Sequence, residues 1–234
     1  MIERILGEAV AAVDSTVDTP GSELYPAERA AVAKAVAGRQ AEYATVRACA
    51  RRAMERLGLP AAPVPVGEHG EPLWPAGVVG SMTHCTGYRA AALGLARDVR
   101  AIGIDAEPNA ALKDGVLEAV SLPAERVWVR QLTDSHPGVA WDRLLFSAKE
   151  AVYKAWFPLT RRRLDFDQAL ITVDRARGTF EARLLVPGPM TGPVTGPVPD
   201  PVPGPGDGPG PTVLPGRWLA HGGLVLTAVA LPAA

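Results

Sequence analysis

The pattern of apolar and polar positions runs through the same succession twice. Residues 22–58, "SELYPAERAAVAKAVAGRQAEYATVRACARRAMERLG", are dense in helix formers. Pro26 suits a first helical turn, Gly38 marks a break, and Gly58 with Pro60 marks a stop, so helices are predicted near 26–37 and 39–57. The stretch to about Pro75 carries several Pro and Gly and reads as an extended loop. "GVVGSMTH" (77–84), "YRAAALGLA" (88–96) and "AIGIDAEP" (101–108) then read as short apolar strands joined by tight turns.

A second cycle begins after Pro108. "SLPAERVWVRQL" and "WDRLLFSAKEAVYKAWF" read as helices, the latter with Leu145, Ala148, Val152 and Trp156 on one apolar face. "ALITVD", "TFEARLLV" and "RWLAHGGLVLTAVAL" follow as strands. "PAER" occurs at 26–29 and again at 123–126, each time ahead of a long helix and a group of strands. This order predicts an α/β (α+β) chain built as a pseudo-symmetric tandem of two similar halves, 1–107 and 108–234. Residues 187–216 are dominated by Pro and Gly, a composition that buries too little apolar surface to offset its ordering entropy. They are expected to form a disordered loop inserted in the second half.

Composition narrows the function classes. The formal net charge is -1, so no global field favours nucleic acid or an anionic membrane. No apolar run reaches the ~18 residues of a membrane span. The opening "MIERILGEAV" carries acids where a signal peptide has a basic lead, and a cytoplasmic protein is expected. Cys49 and Cys85 match neither a zinc nor a redox spacing and read as free thiols.

The candidate chemistry lies in three short stretches. In "GIDAEP", Asp105 and Glu107 are two apart on a strand, so both carboxylates project from one face while Ala106 turns away. Two like charges that close repel, and a bound cation relieves both; carboxylate oxygens suit Mg²⁺, which keeps waters and shares itself with substrate phosphates. The alternative is a solvated strand end. "FSAKEAVYKAW" carries Lys149, Glu150 and Lys154, with Glu150 and Lys154 one turn apart. They form either a surface ion pair or a third carboxylate and general base beside a charge-stabilising lysine. In "SMTHCTGYR", Thr83 and His84 stand where a strand meets a turn and suit a phosphate; the alternative is that His84 is a satisfied structural residue. A Ser81–His84–Asp105 hydrolase triad is set aside, because the chain has no GxSxG elbow.

Taken in order, "GSMTHCTGY", "GIDAEP" and "FSAKEAVYKAW" resemble the 4′-phosphopantetheinyl transferases of the surfactin-activating type, whose pattern is Ser/Thr-His, (V/I)-G-(I/V)-D-x-E and W/F-x-x-K-E-A-x-x-K. The style of "TVRACAR", "GVVGSMTHC" and "KAWFPLT" is that of the actinobacterial branch. The resemblance implies two α/β halves with the active site between them. It also implies transfer of the phosphopantetheine arm of coenzyme A to a serine of an apo acyl or peptidyl carrier protein, with release of adenosine 3′,5′-bisphosphate. Carried over, Asp105, Glu107 and Glu150 hold Mg²⁺ and Glu150 also takes the serine proton. Lys154 stabilises the pyrophosphate with help from Lys149, while His84, beside Thr83, joins Arg39 and Arg47 in gripping the 3′-phosphate. Ala106 leaves one coordination position to water. A monomer is implied.

The chain departs from this pattern at Glu71, where many relatives carry lysine in "GKP", and at Val66, where a basic group is expected. "RRR" at 161–163 is either a solvated turn or an attractor for an acidic carrier helix. Two other functions use the same residues: a Mg²⁺-dependent phosphohydrolase acting on a nucleotide diphosphate, and a non-catalytic module that binds coenzyme A or a carrier.

Overall fold

The computed structural model describes residues 1–19, 22–186 and 212–233. The first 19 residues contribute a 3-10 turn at Ile2–Ile5 and strand β1 (Val10–Ser15). Helices α1 (Pro26–Val32) and α2 (Ala37–Arg56) follow, then strands β2 (Val78–Cys85), β3 (Tyr88–Leu95) and β4 (Val99–Pro108). The second succession is α3 (Val116–Val120), α4 (Pro123–Ser135), α5 (Trp141–Thr160), β5 (Ala169–Asp174), β6 (Thr179–Leu184), β7 (Val213–His221) and β8 (Leu224–Pro232).

The strands form two antiparallel sheets, one ordered β1-β3-β2 and the other β4-β8-β7-β6-β5. Helix α2 lays Cys49, Ala50, Ala53 and Met54 on the small sheet, against Val13, Ala91 and Leu93. Helix α5 lays Leu144, Leu145, Ala148, Val152 and Trp156 on the large sheet, against Ile171, Phe180 and Val225. A third cluster, with Ile2, Tyr88, Ile102, Ile104, Ala106 and Leu226, binds both sheets together. The mixed α/β fold with two similar layers of helix on sheet is the one expected from the sequence.

The sheets meet where β2 lies beside β4. Strand β4 ladders onto β8 by its backbone, pairing Asp105 with Thr227. Its other edge faces β2, and there two hydroxyls replace a backbone ladder. Ser81 Oγ accepts the Ile104 N–H at 3.0 Å, and Thr83 Oγ1 accepts the Ala106 N–H at 3.2 Å. Two residues along β2 match two along β4, so the strands run parallel at this seam. Buried N–H groups need partners, and the hydroxyls supply them without merging the sheets.

Some local expectations are corrected. Gly38 lies inside the first turn of α2; the break comes earlier, at residues 33–36. The stretch 217–231 is a hairpin, turned at Gly222 and Gly223, both with positive φ. Strand β7 begins at Val213, within the segment expected to be a loop; Pro215 fits because β8 pairs with β7 only from Gly216 onward, so no ladder donor is needed toward β8. The rest of that segment, 187–211, lies outside the described residues.

Candidate active site

Asp105 sits near the end of β4, almost fully buried. Its Oδ1 accepts the Lys154 ammonium at 2.7 Å and the Thr83 hydroxyl at 3.3 Å, while its Oδ2 is buried with no hydrogen-bond partner. Lys154 also donates to the Ile104 carbonyl at 3.2 Å. This contact requires α5 to approach β4 closely, and Gly103 permits it: a Cβ there would stand 1.9 Å from the Ala151 carbonyl oxygen. Gly103 is therefore a condition of the site, because it lets the helix settle until Lys154 reaches the acid.

Glu107 lies two residues on and accepts Arg143 Nη1 at 3.0 Å. Burial raises its pKa and the Asp105 charge adds to the rise, while Arg143 opposes both. Glu150 is half-buried, and no cation stands within ion-pair distance of it among the described residues. Burial pushes its carboxyl up; Lys154 pulls it down, and Asp105 and Glu107 push it up again. Glu150 thus feels both other acids, and Glu107 feels Asp105. Lys154, one turn from Glu150, is bonded to Asp105 instead.

Asp105, Glu107 and Glu150 are the residues that could hold a divalent cation. Among the described residues, no three side chains of Asp, Glu, His or Cys stand together closely enough to ligate one ion as they are, since Lys154 and Arg143 engage two of the acids. The chemistry fits nonetheless: an orphaned buried carboxylate oxygen and three mutually repelling acids are what a hard cation relieves.

At the same end of the seam, one residue beyond Thr83, His84 makes a close contact through Nε2 with Arg39 Nη1. Burial lowers the His84 pKa, and the Arg39 charge lowers it further. Arg47 is inside: its Nε donates to the Val64 carbonyl at 3.0 Å, and its guanidinium carbon lies 3.2 Å from the Tyr43 ring centroid. Thr83 is spent on Asp105 and the Ala106 N–H. Lys149 is buried against Glu125 at 2.7 Å and donates to the Phe166 and Ala169 carbonyls.

Beside Glu150 opens a cleft of about 510 Å³, with Tyr153, Phe157, Leu164 and Phe166 on its walls. His69 reaches its rim and meets Phe157 edge-on, with centroids 5.4 Å apart. Glu71 pairs with Arg161 at 2.6 Å, and the Arg161 guanidinium sits over Phe157. The acid where lysine was expected thus ties the loop before β2 to the end of α5. Val66 bridges to Pro72 in the same loop and is partly exposed.

Two family models match in tandem: the 4′-phosphopantetheinyl transferase N-terminal domain over residues 27–94, and the 4′-phosphopantetheinyl transferase superfamily over residues 101–190. The chain belongs to this transferase family. It is 54% identical to 4′-phosphopantetheinyl transferase Svp of Streptomyces mobaraensis over 216 residues, 92% of this chain and 82% of that relative. It is 45% identical both to PptT of Mycobacterium tuberculosis, over 92% of this chain and 88% of the relative, and to Npt of Nocardia iowensis, over 98% and 99%. The first model ends in β3 and the second begins in β4, so Asp105, Glu107 and Glu150 all fall within the second.

Sequence reasoning did not single out two residues that engage the candidate site residues, Arg143 on Glu107 and Glu125 on Lys149. Arg143 precedes the K-E pair on α5 and carries no motif that marks it. Glu125 was visible as the acid of the second "PAER", the counterpart of Glu28 in the first.

Proposed function

We propose that this transferase moves the 4′-phosphopantetheine arm of coenzyme A onto the serine hydroxyl of an apo carrier protein. The observation that carries this is the buried Asp105, with one oxygen on Lys154 and the other unpartnered, near enough to Glu107 on its own strand and Glu150 on α5 for their charges to oppose one another. Asp105, Glu107 and Glu150 would hold Mg²⁺, which supplies Lewis-acid stabilisation of a pyrophosphate when bound. Val66 and Glu71 leave the nucleotide end with fewer positive charges than the family pattern has.

In the reaction, the serine oxygen forms a bond to the phosphorus that carries the pantetheine arm, and the bond from that phosphorus to adenosine 3′,5′-bisphosphate breaks. Glu150, whose carboxyl burial pushes above its ordinary pKa, takes the serine proton. Lys154 stabilises the negative charge left on the departing phosphate, from a position fixed by Asp105. Arg39 and His84 bind the 3′-phosphate, and Arg47 backs the same helix from inside. The apolar cleft beside Glu150 receives the pantetheine arm; Lys149, held by Glu125, shapes its floor. The two halves, 1–107 and 108–234, contribute opposite walls of one site, so a monomer suffices. No helix among the described residues is long and apolar enough to cross a membrane, and the proposed place of work is the cytoplasm.

The test is intact-mass measurement of apo acyl and peptidyl carrier proteins after incubation with this protein, coenzyme A and Mg²⁺. The expected result is a gain of one phosphopantetheine arm, lost with a chelator and in Glu150→Gln. Release of adenosine bisphosphate without any carrier would point to a phosphohydrolase. Coenzyme A binding with no transfer to any carrier class would leave a binding module.

A further inference from the structure

The coenzyme end of the site holds a carboxylate that the motifs and the reaction leave unused. Glu42 follows Arg39 by three residues on α2, so the two share a helix face. Its Oε2 accepts Arg39 Nη1 at 3.3 Å and stands 4.0 Å from His84 Nε2. Its Oε1 accepts Arg89 Nη2 at 3.1 Å. Arg89 is buried on β3 and is itself fixed: Asp18 takes its Nε at 2.7 Å and its Nη2 at 3.1 Å, and the Cys85 carbonyl takes its Nη1 at 2.8 Å. Glu42 therefore joins a rigid, buried arginine to two partly exposed basic side chains from different elements.

Charge balance says what that junction does. Arg39 contacts the His84 ring, and the guanidinium works against protonation of the imidazole. A carboxylate bonded to Arg39 and 4.0 Å from the ring offsets part of that repulsion, so the guanidinium and the imidazole can be held side by side toward one anion. The same carboxylate anchors the long Arg39 side chain, which is otherwise largely in solvent, and reduces the entropy lost when it grips a ligand. Glu42 does not repel the anion strongly in return, because Arg89 and Arg39 cover its two oxygens.

We propose that Glu42 is a positioning residue that holds Arg39 and His84 together as a two-donor grip for the 3′-phosphate of coenzyme A. This rests on the assignment of Arg39 and His84 to that phosphate under the proposed function.

The experiment compares steady-state transfer from coenzyme A and from 3′-dephospho-coenzyme A, in the wild type and in Glu42→Gln and Glu42→Ala. Thermal melts confirm that each variant is folded. The wild type is expected to prefer coenzyme A, and both variants to lose about tenfold of that preference, in KM rather than kcat, as fits one charge-assisted contact. An unchanged preference, a stronger one, or an equal loss for both substrates overturns the inference, the last by showing a merely structural role. If the wild type itself shows no preference, the phosphate assignment fails and the inference falls with it. If the wild type transfers neither arm to any carrier, it is the proposed function that fails.

Discussion

Glu28 and Glu125 are the same device built twice. Each is the third residue of a "PAER" sequence and is completely buried. Glu28 Oε2 accepts the Tyr25 N–H at the start of α1, and Oε1 accepts the Val64 N–H. Glu125 Oε2 accepts the Leu122 N–H at the start of α4, and Oε1 accepts the Ile171 N–H. Each then pairs with a base on the long helix of its own layer: Arg51 and Arg47 on α2, Lys149 on α5. One carboxylate caps a helix, pins a later backbone segment and neutralises a buried cation, which gives the repeated tetrapeptide a physical reason.

Removing one partner of such a pair leaves a buried charge uncompensated. Glu125→Gln should destabilise the protein by about 3–5 kcal/mol in urea unfolding. Glu125→Gln combined with Lys149→Met should recover much of that loss, because no unpaired ammonium remains. A single variant within 1 kcal/mol of the wild type, on the same scale, would show that the pair does not anchor α5.

Gly103→Ala should act on stability and on chemistry together. The added methyl meets the Ala151 carbonyl, so α5 must retreat, at a cost of about 1–3 kcal/mol or more. The retreat separates Lys154 from Asp105, and transfer should fall further than the loss of folded protein explains. Circular dichroism melts beside kinetics on the folded fraction separate the two effects.

Glu150 is an acid kept in an unfavourable place, and its loss should stabilise the fold. Glu150→Gln is expected to abolish transfer while gaining up to about 1 kcal/mol at neutral pH. The sign follows from its raised pKa: the folded wild type holds the proton at a higher pH than the unfolded chain does, so its stability rises as pH falls. The advantage of the variant should therefore shrink as pH drops through the folded pKa of Glu150. Melting curves from pH 4 to 8, in the absence of divalent cations, test this; an advantage that grows toward low pH would contradict it.

Lys154→Gln should lower kcat by about 10²–10³-fold, the loss typical of one preorganised charge-stabilising group. The KM for coenzyme A should change little, because Arg39 and His84 lie elsewhere. A variant that raises KM and leaves kcat intact would make Lys154 a binding residue only.

Much of the fold was legible because its signals are local. Periodicity marked α2, α5 and most strands, and the spacing of Asp105 and Glu107 put two acids on one face. Strand β1 escaped, since its few residues make sense only when laid along β3. Strand β7 was shortened because proline and glycine in its first residues look like loop, and only the limited reach of β8 makes Pro215 acceptable there.

The sequence by itself determined the order of the main helices and of most strands, the tandem of two α/β halves and the set of acids, lysines and histidine on the right elements. The tertiary structure decided which charge meets which. Lys149 and Lys154 are five residues apart on one helix and so project in different directions; one is buried against Glu125, and the other reaches Asp105 rather than its own neighbour Glu150. Glu71 likewise found Arg161, ninety residues away. Residue spacing sets only the direction in which a side chain leaves its element. The partner it reaches depends on how closely two elements approach, and here that distance is set by the packing of α5 on β4, with Gly103 at the point of contact.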